Sequence, residues 1–198
     1  MPKIEIVAFS GYGHTARQAE AVLTGARAHG DGRLWMVPDD GQIEEAAWDA
    51  LDAADAIVLG SPTYMGGPAW QLKRFIDASS AKWQQQMWKD KLMGGFTNCS
   101  SPVGDKGAVL GYFATLAAQH GALWVPLGQP PAAAKANGPD DTNRLGGSLG
   151  PVAQSPHDAA PEEMHAGDLE SARIYGARIA QLAAGMAGVD DGAQLAAE

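Results

Sequence analysis

Cysteine is nearly absent from this 198-residue chain, Cys99 standing alone. That excludes a disulfide framework and a cysteine-based zinc site, and it suits a reducing cytoplasm. The five histidines are scattered without metal-ligand spacing, so no metal site is expected. Long apolar runs are missing as well. No window approaches the roughly 18 apolar residues of a membrane span, and the N-terminal MPKIEIV has no basic region leading into such a run. A soluble, cytoplasmic protein with no membrane partner is expected. Positive charge is scarce, with 14 Lys and Arg against 23 Asp and Glu, a formal net charge of -9 and a pI near 4.9. Such a surface repels nucleic acid and anionic lipid, which leaves small molecules as the expected partners.

What the chain does have is apolar content. At 45% hydrophobic residues it can fill one buried domain. In Lys3 to Phe9, Ile4, Ile6 and Ala8 alternate with Glu5, Val7 and Phe9, a mostly buried strand. Gly11 and Gly13 follow, letting the backbone turn tightly and approach a ligand, while Ser10, Tyr12 and Thr15 add hydroxyls. A helical pattern then begins, with Ala16, Ala19, Val22, Leu23 and Ala26 on one face. Strand, glycine-bearing loop and helix N-terminus make an anion site or a plain tight turn, and this stretch alone does not separate the two.

The chain continues with a strand over Arg33 to Val37, a short helix over Ile43 to Ala54, and an apolar strand at Ala56 to Leu59 that runs into SPTYMGG. A helix with Pro68 in its first turn and Trp70, Leu72, Phe75 and Ile76 on its apolar face comes next. Lys91 to Thr97 reads as a strand, Ala108 to Gln119 as a helix stopped by Gly121, and Leu123 to Leu127 as a last strand. Asp168 to Met186 closes the chain as a helix, with Leu169, Ala172, Ile179 and Leu182 inward.

This alternation predicts an α/β fold, a doubly wound five-stranded parallel sheet with helices on both faces. The expected organisation is one domain over 1–188, an irregular insertion at 129–166 rich in Pro, Gly, Asn and Asp, and a frayed tail at 189–198.

Ligands of such sheets bind beyond the carboxyl ends of the strands. Three loops lie there: SGYGHT, SPTYMGG and TNCSSPVGDK. The first suits phosphate. The second offers the fixed turn of Pro62, the aromatic face of Tyr64 and room at Gly66 and Gly67 for a flat ring. The third has small hydroxyl and amide side chains for a heterocycle's edge. Together they describe a mononucleotide cleft.

The chain resembles the flavodoxin superfamily, and within it the WrbA-like branch of FMN-dependent NAD(P)H:quinone oxidoreductases. The resemblance rests on Ser10-x-Tyr12-Gly13-His14, Pro62-Thr63-x-x-Gly66, the Thr97 to Lys106 loop and the stretch LAAQHGALWVPLG. It implies that Ser10, Tyr12, Gly13, His14 and Thr15 hold the FMN phosphate and that Pro62, Thr63, Tyr64, Met65 and Gly66 line the isoalloxazine. Thr97, Asn98, Ser100, Gly104 and Asp105 would lie on the ring's far side. Trp83 matches an aromatic that covers the flavin's open face, often from a neighbouring subunit, and Tyr12 the position near the nicotinamide nucleotide. A homo-oligomer, dimer or tetramer, is implied. Two departures stand out: the fourth-strand loop is poorer in glycine than the family's, and Gln119 replaces a histidine, with His120 next to it.

The implied chemistry passes electrons from NADH or NADPH through FMN to a quinone or similar flat acceptor, with no catalytic side chain. Residue by residue, duller readings compete: Trp83 and Trp88 as interface or core, Cys99 as a buried filler, and Lys106 with Asp105 as a solvated pair. Two further functions compete with the reductase. One is a one-electron carrier of the flavodoxin type; the other is a flavin-free regulatory or assembly protein that keeps the fold.

Overall fold

The computed structural model describes residues 1–195, and side chains through residue 186. Five parallel strand positions form its sheet. The first three are β1 (Lys3–Ala8), β2 (Asp31–Met36) and β3 (Ala56–Tyr64). A two-residue strand, β4 (Gly67–Pro68), turns back on β3 before β5 (Leu92–Cys99), and the last position is shared by β6 (Leu123–Trp124) and β7 (Val152–Gln154). The order β2-β1-β3-β5-β6 is the doubly wound topology expected, with β4 antiparallel to β3 and β7 parallel to β5.

Two-residue periodicity divides the core. Ile4, Ile6 and Ala8 of β1 and Ala56 and Val58 of β3 pack on one face against α1 (His14–Arg27) and α6 (Ala166–Leu195). Val7, Ile57 and Leu59 face the other way, against α2 (Glu45–Asp52), α3 (Trp70–Ala78) and α5 (Lys106–His120). On the first face the helices cross where neither has a side chain. A Cβ on Gly25 of α1 would lie 1.8 Å from the Arg173 carbonyl oxygen, and one on Gly176 of α6 would lie 2.0 Å from that of Val22.

Several expectations are corrected. Pro68 belongs to a β-hairpin and not to a helix start, and Trp70, read as core, is exposed because it opens α3 on the solvent side; Leu72, Phe75 and Ile76 are buried as expected. Trp88 is core, stacked between Trp48 and His120, whereas Trp83 of α4 (Ser80–Gln84) is half-exposed. On α6, Leu182 faces solvent and the buried large residue is Tyr175. That helix also continues past Met186 through most of the stretch read as a frayed tail; residues 196–198 lie outside the described residues.

The largest correction concerns the sheet's edge. The last strand does not run to Leu127. After β6, Val125 N–H still reaches the Met93 carbonyl (2.8 Å), but the chain then leaves, and it returns at Pro151, whose carbonyl accepts from Thr97 N–H (3.2 Å) ahead of β7. The gap falls at Gly95. There the buried Tyr175 hydroxyl accepts from Gly95 N–H (3.3 Å) and donates to the Val125 carbonyl (2.6 Å), bridging two backbone groups that the split leaves apart. Burial pushes the phenol's pKa well above its usual value, so it stays a donor. Residues 129–166 are therefore largely an excursion between the halves of one strand position, followed by the return that leads into α6.

Tyr175→Phe keeps the ring and orphans both groups. It should cost about 1–3 kcal/mol in urea unfolding; a change below about 0.5 kcal/mol would show that the hydroxyl does not hold the split edge together.

Candidate functional site

The register sets the site. Ala8, Gly60 and Phe96 share one row across β1, β3 and β5, so Ser10, Pro62 and Asn98, each two residues further on, emerge together at the carboxyl edge. Asn98 in turn pairs with Ala153 of β7. Between these ends lies a cavity of about 330 Å³, walled by Ser10 to Tyr12, His14, Thr15, Pro62 to Tyr64, Asn98 to Ser100, Ser155 and His157. Its size falls within the usual range for small-molecule sites.

One end is built by the turn into α1. Ser10 Oγ accepts from Gly13 N–H (3.0 Å), and Gly13 adopts φ 89°, in the left-handed region, so that the helix starts at once with His14. The first-turn N–H groups of this 14-residue helix have no intrahelical partner and no capping side chain, and they sit at the positive end of its dipole. His14 is buried. Its Nε2 lies 2.9 Å from the Ala159 carbonyl, which can only accept, so Nε2 carries a proton and donates.

A slot forms the middle. β3 runs on to Tyr64 and returns through Met65 and Gly66, with φ 48° and 77°, the two left-handed residues of a tight hairpin turn. Ser61 Oγ accepts from Ala69 N–H (2.8 Å) and ties the hairpin to α3. The Tyr64 hydroxyl overhangs Gly11, where a Cβ would come within 2.6 Å of it, and its ring meets Tyr12 edge-on at 6.5 Å. Partial burial, then the neighbouring Tyr12, raises the Tyr64 pKa, so the phenol stays neutral.

The third wall is held from behind. Asn98 Oδ1 accepts from Ser155 Oγ (3.0 Å), and Ser155 N–H donates to the Cys99 carbonyl (3.1 Å). Lys106, expected in a solvated pair with Asp105, is buried. Its Nζ donates to the carbonyls of Ser101 (2.6 Å) and Pro102 (2.9 Å), folding the loop over itself, and burial lowers its pKa. A second tie crosses from residues 129–166. Arg144 grips Asp168 with two hydrogen bonds (2.9 and 2.8 Å), Asp168 accepts from Gln154 N–H (2.9 Å), and Gln154 Nε2 donates to the Ser100 carbonyl (2.9 Å).

The structure brings Ser10, Tyr12, His14, Thr15, Pro62, Thr63, Tyr64, Asn98 and Ser100 to the cavity wall. Other expected residues stand behind it or away from it. Thr97 is buried beneath, its hydroxyl 2.9 Å from that of Thr63; Gly13 shapes the turn; Met65 and Gly66 form the hairpin tip. Gly104 backs onto Cys99 Sγ, and Asp105 caps α5 in a left-handed conformation. Trp83 lines a different cavity of about 300 Å³ together with Gln119 and His120, so within one chain none of the three reaches the cleft. His120 is instead a core residue: Ser79 Oγ gives its proton to the Ile76 carbonyl and so accepts from His120 Nε2–H (3.0 Å), while burial lowers the ring's pKa. Gly11, expected to let the backbone approach a ligand, lines the cavity, whereas sequence reasoning missed Cys99, Ser155 and His157 as lining residues. The last two follow β7, a three-residue strand too short for a periodic signal.

The family model of NADPH-dependent FMN reductases matches residues 38–136. Flavodoxin FldP of Pseudomonas aeruginosa is 48% identical over 182 residues, covering 92% of this chain and 97% of that protein. An NAD(P)H dehydrogenase (quinone) of Geobacter sulfurreducens is 31% identical over 206 aligned positions, with 92% and 98% coverage. Among solved structures, a WrbA-like flavodoxin from Agrobacterium tumefaciens superposes with a TM-score of 0.76 at 46% identity, covering 92% of this chain and 98% of that one.

Removing one partner of a buried ion pair strands the other charge. Asp168→Ala should destabilise the protein by about 3 kcal/mol in denaturant unfolding and loosen the Ser100 wall; a loss under about 1 kcal/mol would mean that the pair is not a structural tie.

Proposed function

Because the chain belongs to the flavodoxin superfamily, in its WrbA-like FMN reductase and quinone oxidoreductase branch, we propose that its cleft binds FMN and passes electrons from NADH or NADPH to a quinone or similar flat acceptor. The observation that carries this reading is the cleft's polarity. At one end are the free amides of α1, at the centre a slot between the Tyr64 hairpin and the Asn98 to Ser100 wall, and at the far side hydroxyl and amide groups.

The residues present fit the group. Ser10, Thr15 and the first-turn amides of α1 offer hydrogen bonds to a phosphate, with the helix dipole favouring negative charge. Gly11 leaves no side chain between its backbone and the Tyr64 hydroxyl, so the floor of the slot is backbone. Asn98 and the Ser100 backbone face the edge of a heterocycle. FMN, when bound, supplies hydride and single-electron chemistry; the chain supplies orientation and a low-dielectric wall. Tyr12 and Tyr64, exposed at the mouth, offer aromatic surfaces against which a nicotinamide or a quinone stacks. In an oligomer the half-exposed Trp83 would cover the cleft of a neighbouring subunit.

The name of the flavodoxin relative at 48% identity favours a second reading, a one-electron carrier. One experiment separates the two. Protein loaded with FMN is mixed anaerobically with NADH or NADPH. The reductase reading expects the yellow absorbance to bleach and to return when a quinone is added. A loaded protein inert to both nucleotides supports the carrier, and a protein that takes up no FMN contradicts both.

A further inference from the structure

The cavity wall contains no lysine and no arginine; among its lining side chains, His14 and His157 alone can carry positive charge. His14 is committed. Its Nε2–H holds the Ala159 carbonyl, so that donor is not available to an anion in the cavity. His157 is different: it is exposed and lines the cavity on a segment pinned at both ends. At the start, Ser155 bonds the Cys99 carbonyl and Asn98 Oδ1. At the far end, Ala159 accepts from His14, and the Pro161 ring covers Gly13, where a Cβ would lie 2.8 Å from it. The segment thus runs from the end of β5 to the N-terminus of α1, and His157 lines the cavity between these two anchors. Of the acids on this segment, Asp158 adjoins His157 and Glu163 accepts from Ala160 N–H (2.7 Å).

We propose that His157 reads the phosphate of the flavin nucleotide, acting with the α1 amides as the charge-bearing donor in a cleft that has no lysine or arginine; this deepens the FMN reading and rests on it. FMN and riboflavin share the ring and the ribityl chain and differ in the phosphate alone. A residue that reads the phosphate changes the ratio of their affinities, whereas a residue that only shapes the wall changes both.

The test titrates the flavin-free protein with FMN and with riboflavin, following quenching of flavin fluorescence, for the wild type, His157→Ala and His157→Arg. His157→Ala should weaken FMN about fivefold, in line with a partly exposed charge-assisted contact, and leave riboflavin within about twofold. His157→Arg, which keeps a cationic donor, should restore FMN binding. Equal weakening of both flavins, or no change in either, overturns the proposal. A wild type that binds FMN no better than riboflavin overturns it by showing that the phosphate is not read. A wild type that binds neither flavin removes the FMN reading itself.

Discussion

The Tyr175 hydroxyl holds together a sheet whose last strand position is broken in two. Parallel ladders need a partner for every inward N–H and C=O, and an open gap inside a core costs the desolvation of each unpaired group. By accepting from Gly95 and donating to Val125, the phenol lets the chain depart after β6 and return as β7 with the core sealed. The return matters because it occurs at the carboxyl end of β5, beside Asn98. Without it the cleft would have only the walls from the ends of β1, β3 and β5; with it, Ser155 and His157 join the lining.

The cleft's rigidity comes from groups that do not touch its interior. Lys106 satisfies carbonyls of the 101–103 turn, and the Arg144–Asp168 pair holds β7 through Gln154. Both cations are held by protein oxygens behind the wall, and neither lines the cavity. What remains for an anion is the amides and hydroxyls of the wall and His157.

The layered architecture was legible because its cause is local. The alternation Ile4, Ile6, Ala8 and the apolar run Ala56 to Leu59 declare buried strands, and the glycine turn at Gly13 declares where α1 begins. The cavity was legible through three loops that each follow a strand. What escaped depends on tertiary pairing. β7 is three residues long and owes its existence to β5; Tyr175 reads as one more helical aromatic until the gap it fills is seen. Lys106 looks like a surface charge in sequence because carbonyls, its actual partners, leave no mark on composition. His157 was invisible for the same reason: only the return of β7 brings it to the cavity. Residues 129–166, read from sequence as an irregular insertion, brace the site through Arg144, Gln154 and Ser155.

The central claim is that one cleft, made by the ends of β1, β3, β5 and β7, is where the flavin nucleotide sits. Backbone hydrogen exchange with and without FMN tests it most directly. Saturating FMN should slow exchange in four separated segments together: Gly11 to Ala16, Thr63 to Gly67, Asn98 to Ser101 and Ser155 to Ala159. Protection confined to the region of Trp83, Gln119 and His120, with those four segments unchanged, would contradict the account.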